Sequence, residues 1–348
     1  MRGLPSMTSV RQPTLRDVAE AAGVHTATAS RALNPTTRAM VSPDTARRVQ
    51  KAAESLGYQP NPIARSLKTA RSTTIGVVIP DITNPIFPPI LRGIERTLEG
   101  EGYTALLVNT DSDEVRERGQ VESLRARQVD GLIVATARRN HPLMAELTEQ
   151  GFPVVLVNRR TDHVPMPFVV ADDEAGMRML VQHLVDLGHE KIAHITGPHD
   201  TTTGVARGRA FRAAMQDAGL DVPRSRVVEA RRWSEEAGAE ALEKLLDTDP
   251  DITAVVGGND LIALGCYDVV RERGMKCPRD LSITGFNGMP LLDKLAPPLT
   301  TVEVPHFDIG VEAARMLFDC LREPGRTPRS VVLPVSLQVR GSTARPRP

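Results

Sequence analysis

Aromatic side chains are scarce, with one Trp, three Tyr and seven Phe in 348 residues, so Trp233 is the only indole the chain can offer a ligand. Cysteine is scarcer still. Cys266, Cys277 and Cys320 have neither paired nor metal-ligand spacing, which excludes a disulfide framework and a zinc site and suits a reducing cytosol. No stretch reaches the apolar length of a membrane span, and the N-terminus lacks the apolar core of a signal peptide, so the expected location is cytoplasmic. No G-x-G-x-x-G follows the first strand, IGVVIPDI, which argues against a dinucleotide-binding dehydrogenase or kinase. No His-Asp-Ser or metal cluster has catalytic spacing. The chain reads as a non-enzyme without cofactor or metal.

Net charge is absent too, at 43 Lys/Arg against 43 Asp/Glu, but the balance is uneven. Residues 1–72 hold 11 Lys/Arg and 4 Asp/Glu, a net of +7, which leaves −7 for the remainder. A basic head on an acidic body is what phosphate contact by one end requires.

That head has a helical pattern. Thr14 is a good N-cap with Asp17 three residues on, and Leu15, Val18, Ala19 and Ala22 recur at helical spacing. Gly23 breaks the helix and Val24 plugs the corner. A second short helix is expected at about Thr26 to Leu33, with Ala29 and Leu33 inward. Ser42 and Pro43 start a third, whose Val49, Ala52 and Leu56 cover the other two, and Gly57 ends it. Two short helices joined by a tight Gly-containing turn make a helix-turn-helix, whose second helix fits the DNA major groove. Beyond Thr73 the pattern becomes apolar strands alternating with amphipathic helices, the signature of buried parallel sheets. Strands are expected at Ile75–Ile79, Thr104–Val108, Gly131–Ala135, Val154–Val157, Val169–Ala171, Ile192–Thr196, Ala254–Gly257 and Ser282–Gly285. These are too many units for one sheet, so two doubly wound lobes are expected.

TLRDVAEAAGV, TASRALN and YQPNPIARSL, followed by IGVVIPDITNPIF, VDGLIVA, PVVLVNR, DLGHEKIAHITGP, GGND and LSITGFN, occur in the order of the LacI/GalR family of bacterial transcription regulators. The chain resembles that family from Thr14 to about Gly341. The resemblance implies an α/β protein: an all-α helix-turn-helix head and hinge helix, then a two-lobed periplasmic-binding-protein-like body with two doubly wound parallel sheets. The expected division is a disordered arm at 1–13, where Met7 is an alternative start, a DNA-binding domain at 14–59 and a hinge at 60–72. An effector-binding and dimerisation domain spans 73–341, and 342–348 form a tail without the extra tetramerising helix of some relatives. Within the body the N-lobe is expected at about 73–170 and 303–325, and the C-lobe at about 171–302 and 326–341. The helix near Phe307–Leu321 should return to the first lobe and a final strand near Val331–Val339 to the second.

The resemblance also implies the sites. Thr26, Ala27 and Arg31 occupy base-reading positions, where Arg31 suits guanine O6 and N7. Thr28 and Ser30 suit phosphates, and His25 either meets a phosphate or caps the helix. Thr14 and Asn34 complete the expected DNA surface of the head. Asn61, Ala64 and Leu67 belong to a hinge helix that orders on the operator, with Leu67 wedging between base pairs in the minor groove. For the effector, the expected residues are Asn84, Ile86 and Phe87 in the first lobe's loop, Asn158 and Arg159 after PVVLV, then Thr203, Arg207, Trp233, Asn259 and Asn287. Trp233 suits a sugar's apolar face, and the amides and guanidinium suit its hydroxyls. Asp260 reads as a helix cap. Asn158 and Asn287 stand where relatives often carry Asp, so Arg207 is expected to face few carboxylates, which tilts the effector toward a sugar acid or sugar phosphate unless Asp172, Asp173 or Asp260 supplies the charge.

The implied function is a homodimeric repressor of a pseudo-palindromic operator, controlled by a metabolite in the inter-lobe cleft. A transporter's solute-binding protein would need an export signal and has no use for the head. The resemblance equally admits a regulator governed by a phosphoprotein in place of a metabolite.

Overall fold

The structure is a computed structural model that describes residues 13–34, 37–59, 71–323, 325, 327 and 329–347. The chain divides into two compact units between Ser72 and Thr73. The hinge residues Asn61, Ala64 and Leu67, and the arm apart from Pro13, lie outside the described residues.

In the first unit, α1 (Leu15–Ala21), α2 (Thr26–Leu33) and α3 (Pro43–Leu56) form a three-helix head. Each start is capped by its own sequence. Thr14 and Asp17 make a reciprocal capping box, and the Ser42 hydroxyl accepts from Thr45 N–H. Gly57 closes α3 at φ +65°, in the left-handed region that favours glycine. The core consists of seven alanines and two valines, small side chains that let such short helices approach closely. Leu33 packs half-buried at its edge, but Leu56 does not contribute: it is 39% exposed, and Ala46 and Ala53 fill the face expected of it.

The second unit holds two six-stranded sheets. Its strands are β1 (Thr74–Ile79), β2 (Thr104–Asn109), β3 (Gly131–Val134), β4 (Val154–Val157), β5 (Phe168–Ala171), β6 (Ile192–Thr196), β7 (Val227–Glu229), β8 (Ala254–Gly257), β9 (Ser282–Asn287), β10 (Thr300–Glu303), β11 (Ser330–Leu333) and β12 (Ser336–Gln338). Its helices are α4 (Phe87–Gly100), α5 (Glu114–Ala126), α6 (Pro142–Glu149), α7 (Asp173–Asp186), α8 (Thr202–Asp217), α9 (Glu235–Thr248), α10 (Asp260–Glu272) and α11 (His306–Arg322). One sheet runs β11-β5-β4-β3-β1-β2, parallel throughout. The other runs β12-β10-β9-β8-β6-β7, parallel except for β12 against β10. Each of the eight strands expected between Ile75 and Gly285 forms. The fully apolar strands β3, β4 and β8 are buried along their whole length, as sheets covered on both faces require.

Helix α11 returns to the first lobe, where it packs on α4. The contact is close because Gly93 and Gly310 face each other across it. A Cβ on Gly310 would lie 2.1 Å from the Ile90 carbonyl oxygen, and one on Gly93 would lie 2.1 Å from that of Phe307. Two expectations about the C-terminus need correction. The single final strand is two, with β11 in the first sheet and β12 in the second, because Pro334 lacks the N–H to continue one ladder. The presumed tail is partly core: Ser342 is fully buried, and its hydroxyl donates to Ile283 O (2.6 Å) and accepts from Thr300 N–H (2.8 Å).

Candidate functional site

Parallel strands of both sheets end on one crevice, and loops at their carboxyl ends supply its walls. Ten residues line it: Asn84, Ile86, Phe87, Asn158 and Arg159 from the first lobe, and Thr203, Arg207, Trp233, Asn259 and Asn287 from the second. All ten residues expected at the effector site are thus gathered around one cavity. It encloses only about 20 Å³, room for a single water, so the lobes stand closed. Larger hollows exist, such as an open one of about 1170 Å³ along α11, but it shares no lining residue with this cavity.

Backbone bonds cross between the lobes. Arg139 N–H donates to Asp200 O (2.8 Å), and Arg160 N–H donates to Thr202 Oγ1 (3.1 Å). The Arg138 guanidinium lies 3.7 Å from the Asp200 carboxylate. The sequence gives no sign of these contacts, since nothing local says that the two loops meet.

Arg207 is the most constrained group of the cleft. It is 3% exposed, with its guanidinium lying over the Phe286 ring at 3.7 Å from the centroid. Its Nε donates to Asp173 Oδ1 (2.8 Å), Nη1 to Gly258 O (2.8 Å) and Nη2 to Asn287 Oδ1 (3.4 Å). Burial pulls the Asp173 carboxyl up while the Arg207 charge pulls it back. Arg207 therefore does not lack a carboxylate, and the expectation built on the two asparagines fails at this residue: Asp173, the first residue of α7, supplies the counter-charge.

The asparagines have conformational reasons. Asn158 at φ +64° and Asn287 at φ +122° end their strands in backbone regions that non-glycine residues seldom occupy, and Asn tolerates them better than most. Asn259, not Asp260, caps α10 by accepting from Ile262 N–H (2.9 Å). Asp260 is fully buried beneath the cleft, where it accepts from Met289 N–H (2.9 Å) and from the Thr301 hydroxyl, and burial pushes its carboxyl up to about 6.

Two buried donors in the lining have no hydrogen-bond partner among the described residues. One is Nε of Arg159 and the other is Nε1 of Trp233. The Trp233 indole rests edge-on against Gly197, where a Cβ would lie 2.0 Å from the ring. Glycine is the only residue whose bulk permits this, a dependence invisible before the loops are placed in space.

On the head, His25, Thr26, Ala27 and Arg31 are exposed along one face of α2, with Thr28, Ser30 and Asn34 half-buried beside them. His25 caps α2, its Nδ1 accepting from Ala27 N–H at 3.2 Å. Thr14 is exposed at the start of α1. The Arg31 guanidinium has no ion-pair partner among the described residues, whereas Arg38 donates to Gln50 and Arg47 pairs with Asp44.

Residues 14–61 match the family described as "Bacterial regulatory proteins, lacI family", and residues 72–340 match "Periplasmic binding proteins and sugar binding domain of LacI family". The chain is 36% identical over 334 residues to the HTH-type transcriptional regulator DegA of Bacillus subtilis (strain 168), covering 95% of this chain and 98% of that one. Among solved structures, the lac repressor dimer bound to operator and the anti-inducer ONPF aligns with a TM-score of 0.85 at 26% identity, covering 96% of this chain and 100% of that one. The transcriptional regulator CelR–cellobiose complex aligns with a TM-score of 0.73 at 30% identity, covering 95% and 99%.

Proposed function

Because the chain belongs to the lacI family of bacterial regulatory proteins, we propose that its head reads an operator while its cleft senses a small sugar-like effector. It is a DNA-binding transcriptional regulator and not an enzyme. Its action is that of a dimeric repressor on operator DNA, and the cytoplasm, where that DNA lies, is its place. In this reading Arg31 reads a base edge from the exposed face of α2, with Thr26 and Ala27 beside it. Thr14, Thr28, Ser30 and Asn34 set the register on the phosphates. His25 serves α2 as its cap, so only Nε2 of its ring is left for a phosphate. Asn61, Ala64 and Leu67 carry the minor-groove contact of the hinge.

The observation that carries the effector reading is that five lining residues come from each lobe. A ligand held by both lobes binds the closed arrangement more tightly than the open one, and that differential affinity is what shifts the equilibrium between them. The lobe angle then decides whether two hinges come together on DNA.

The test selects duplexes from a random pool with the full chain. A pseudo-palindromic consensus is expected, with affinity that falls steeply with salt. Arg31→Ala should relax preference at one base pair of each half-site. No duplex preferred over random sequence would overturn the reading.

A further inference from the structure

The walls of the cleft hold two guanidinium groups and no carboxylate. One of the two is neutralised from behind, since Arg207 is locked to Asp173. The other is not. Arg159 pairs with no acidic residue among those described, and its buried Nε donates to nothing. The nearest opposing charges are already engaged. Asp200 faces Arg138 and is largely solvated, and Glu117 is buried against His141 at 3.4 Å and the Thr136 hydroxyl. Burial lowers the Arg159 pKa to about 10, so it stays cationic at neutral pH. An unpaired cation in a closed crevice is costly unless something else completes it. Trp233 Nε1–H, on the opposite wall, is a second orphaned donor. Both want acceptors, and none of the described residues supplies them.

Resting on the reading of this cleft as the effector site, we propose that its natural ligand is a sugar-like molecule bearing an oxyanion, a carboxylate or a phosphate, with Arg159 as counter-ion and Trp233 Nε1–H as a second donor. Arg159 belongs to the first lobe and Trp233 to the second, so one oxyanion satisfies a donor on each wall and favours closure. Arg207 is left to orient the neutral part of the ligand, since its own charge is already met. A charge-assisted guanidinium–oxyanion pair is about twice as strong as a neutral hydrogen bond. An anionic sugar should therefore outbind its neutral counterpart by about 5- to 10-fold.

Trp233 is the chain's only tryptophan, so its emission reports the cleft and not the basic head. The full-length protein is titrated at constant ionic strength with inorganic phosphate and sulfate against chloride. Matched pairs follow: glucose with glucose 6-phosphate, and galactose with galacturonate, the first pair testing a phosphate and the second a carboxylate. The expected result is a phosphate- or sulfate-dependent change absent with chloride, and an anionic member that outbinds its neutral partner. Arg159→Gln should abolish both. Arg159→Lys keeps the charge without the planar fork and should still favour the anionic member of each pair, which provides a second variant should Arg159→Gln fail to fold. Neutral sugars that bind as tightly as their anions, or an unchanged preference in Arg159→Gln, would overturn this inference while leaving the cleft as a sugar site. No change at Trp233 with any probe would overturn both readings.

Discussion

A single methyl group at residue 197 tests the construction of the cleft. In Gly197→Ala the new Cβ would lie 2.0, 2.1 and 2.5 Å from three atoms of the Trp233 benzo ring. Ordinary contact begins at 3.4 Å, so the indole must retreat by about 1.4 Å at its nearest atom. A rigid ring cannot fold away as a long aliphatic chain would. The free space beside it is the cleft, which offers about 20 Å³, with the Arg207 guanidinium only 5.8 Å from the ring centroid. The ring must therefore tilt into the ligand's position. Overpacking of this kind costs about 1–3 kcal/mol, and a misplaced aromatic forfeits about 0.5–1.5 kcal/mol of contact with a ligand. The first lowers the thermal midpoint, and the second predicts effector affinity lower by about 2- to 10-fold. The assay is Trp233 emission and acrylamide quenching without ligand, then titration with whichever compound shifts the wild-type spectrum. The emission maximum and quenching should change, the titration midpoint should rise, and the head should still bind operator. An unchanged spectrum with an unchanged midpoint would refute the packing reasoning.

Arg207→Met strands the Asp173 carboxylate in the interior and should cost about 3–5 kcal/mol in urea unfolding, while adding Asp173→Asn should recover much of it. Gly310→Ala should destabilise by about 1–3 kcal/mol, because a Cβ there meets the α4 backbone, whereas Gly100→Ala, which meets nothing within 4 Å, should be neutral or stabilising; thermal midpoints compare the pair. Burial holds His194 and His306 at about 4, below their ordinary value near 6.5. The unfolded chain then takes up protons as pH falls through 6.5, so their contribution is present above that value and is lost on the way to pH 4. Asp260, raised to about 6, opposes this by becoming more favourable as pH falls. The net loss from pH 7 to 5 should be roughly 2 kcal/mol, read as a lower urea midpoint, and equal midpoints would contradict it. Arg31→Ala should weaken operator binding by about 1–3 kcal/mol and flatten discrimination at one base pair per half-site, measured by anisotropy with singly substituted duplexes.

The head was legible almost residue by residue, because caps, a turn glycine and small inward residues act locally. The apolar strands were legible because each is buried on both faces. What escaped has a common cause. Strand β7 is three residues long and partly exposed, and β10 looks polar because Thr300 and Thr301 are buried with side-chain partners distant in sequence. The counter-ion of Arg207 lies 34 positions upstream at a helix start, so the count of carboxylates around it could not be read from the asparagines. The cleft residues were anticipated from family positions, whereas the unpartnered Nε of Arg159 emerges only when two loops are brought together.

The chain passes between the two sheets three times: at Asp172, at Val304–Pro305 and at Pro334–Val335. None of these tethers exceeds two residues, and two of them are laced together where Asp172 N–H donates to Leu333 O at 3.0 Å. Two extended residues span about 7 Å, so the halves can neither slide past each other nor drift apart. Rocking about that seam is the freedom left, and whatever occupies the crevice is translated into a single angle. Asp173 adjoins the first tether and grips Arg207, so a push on that guanidinium reaches the pivot through one side chain.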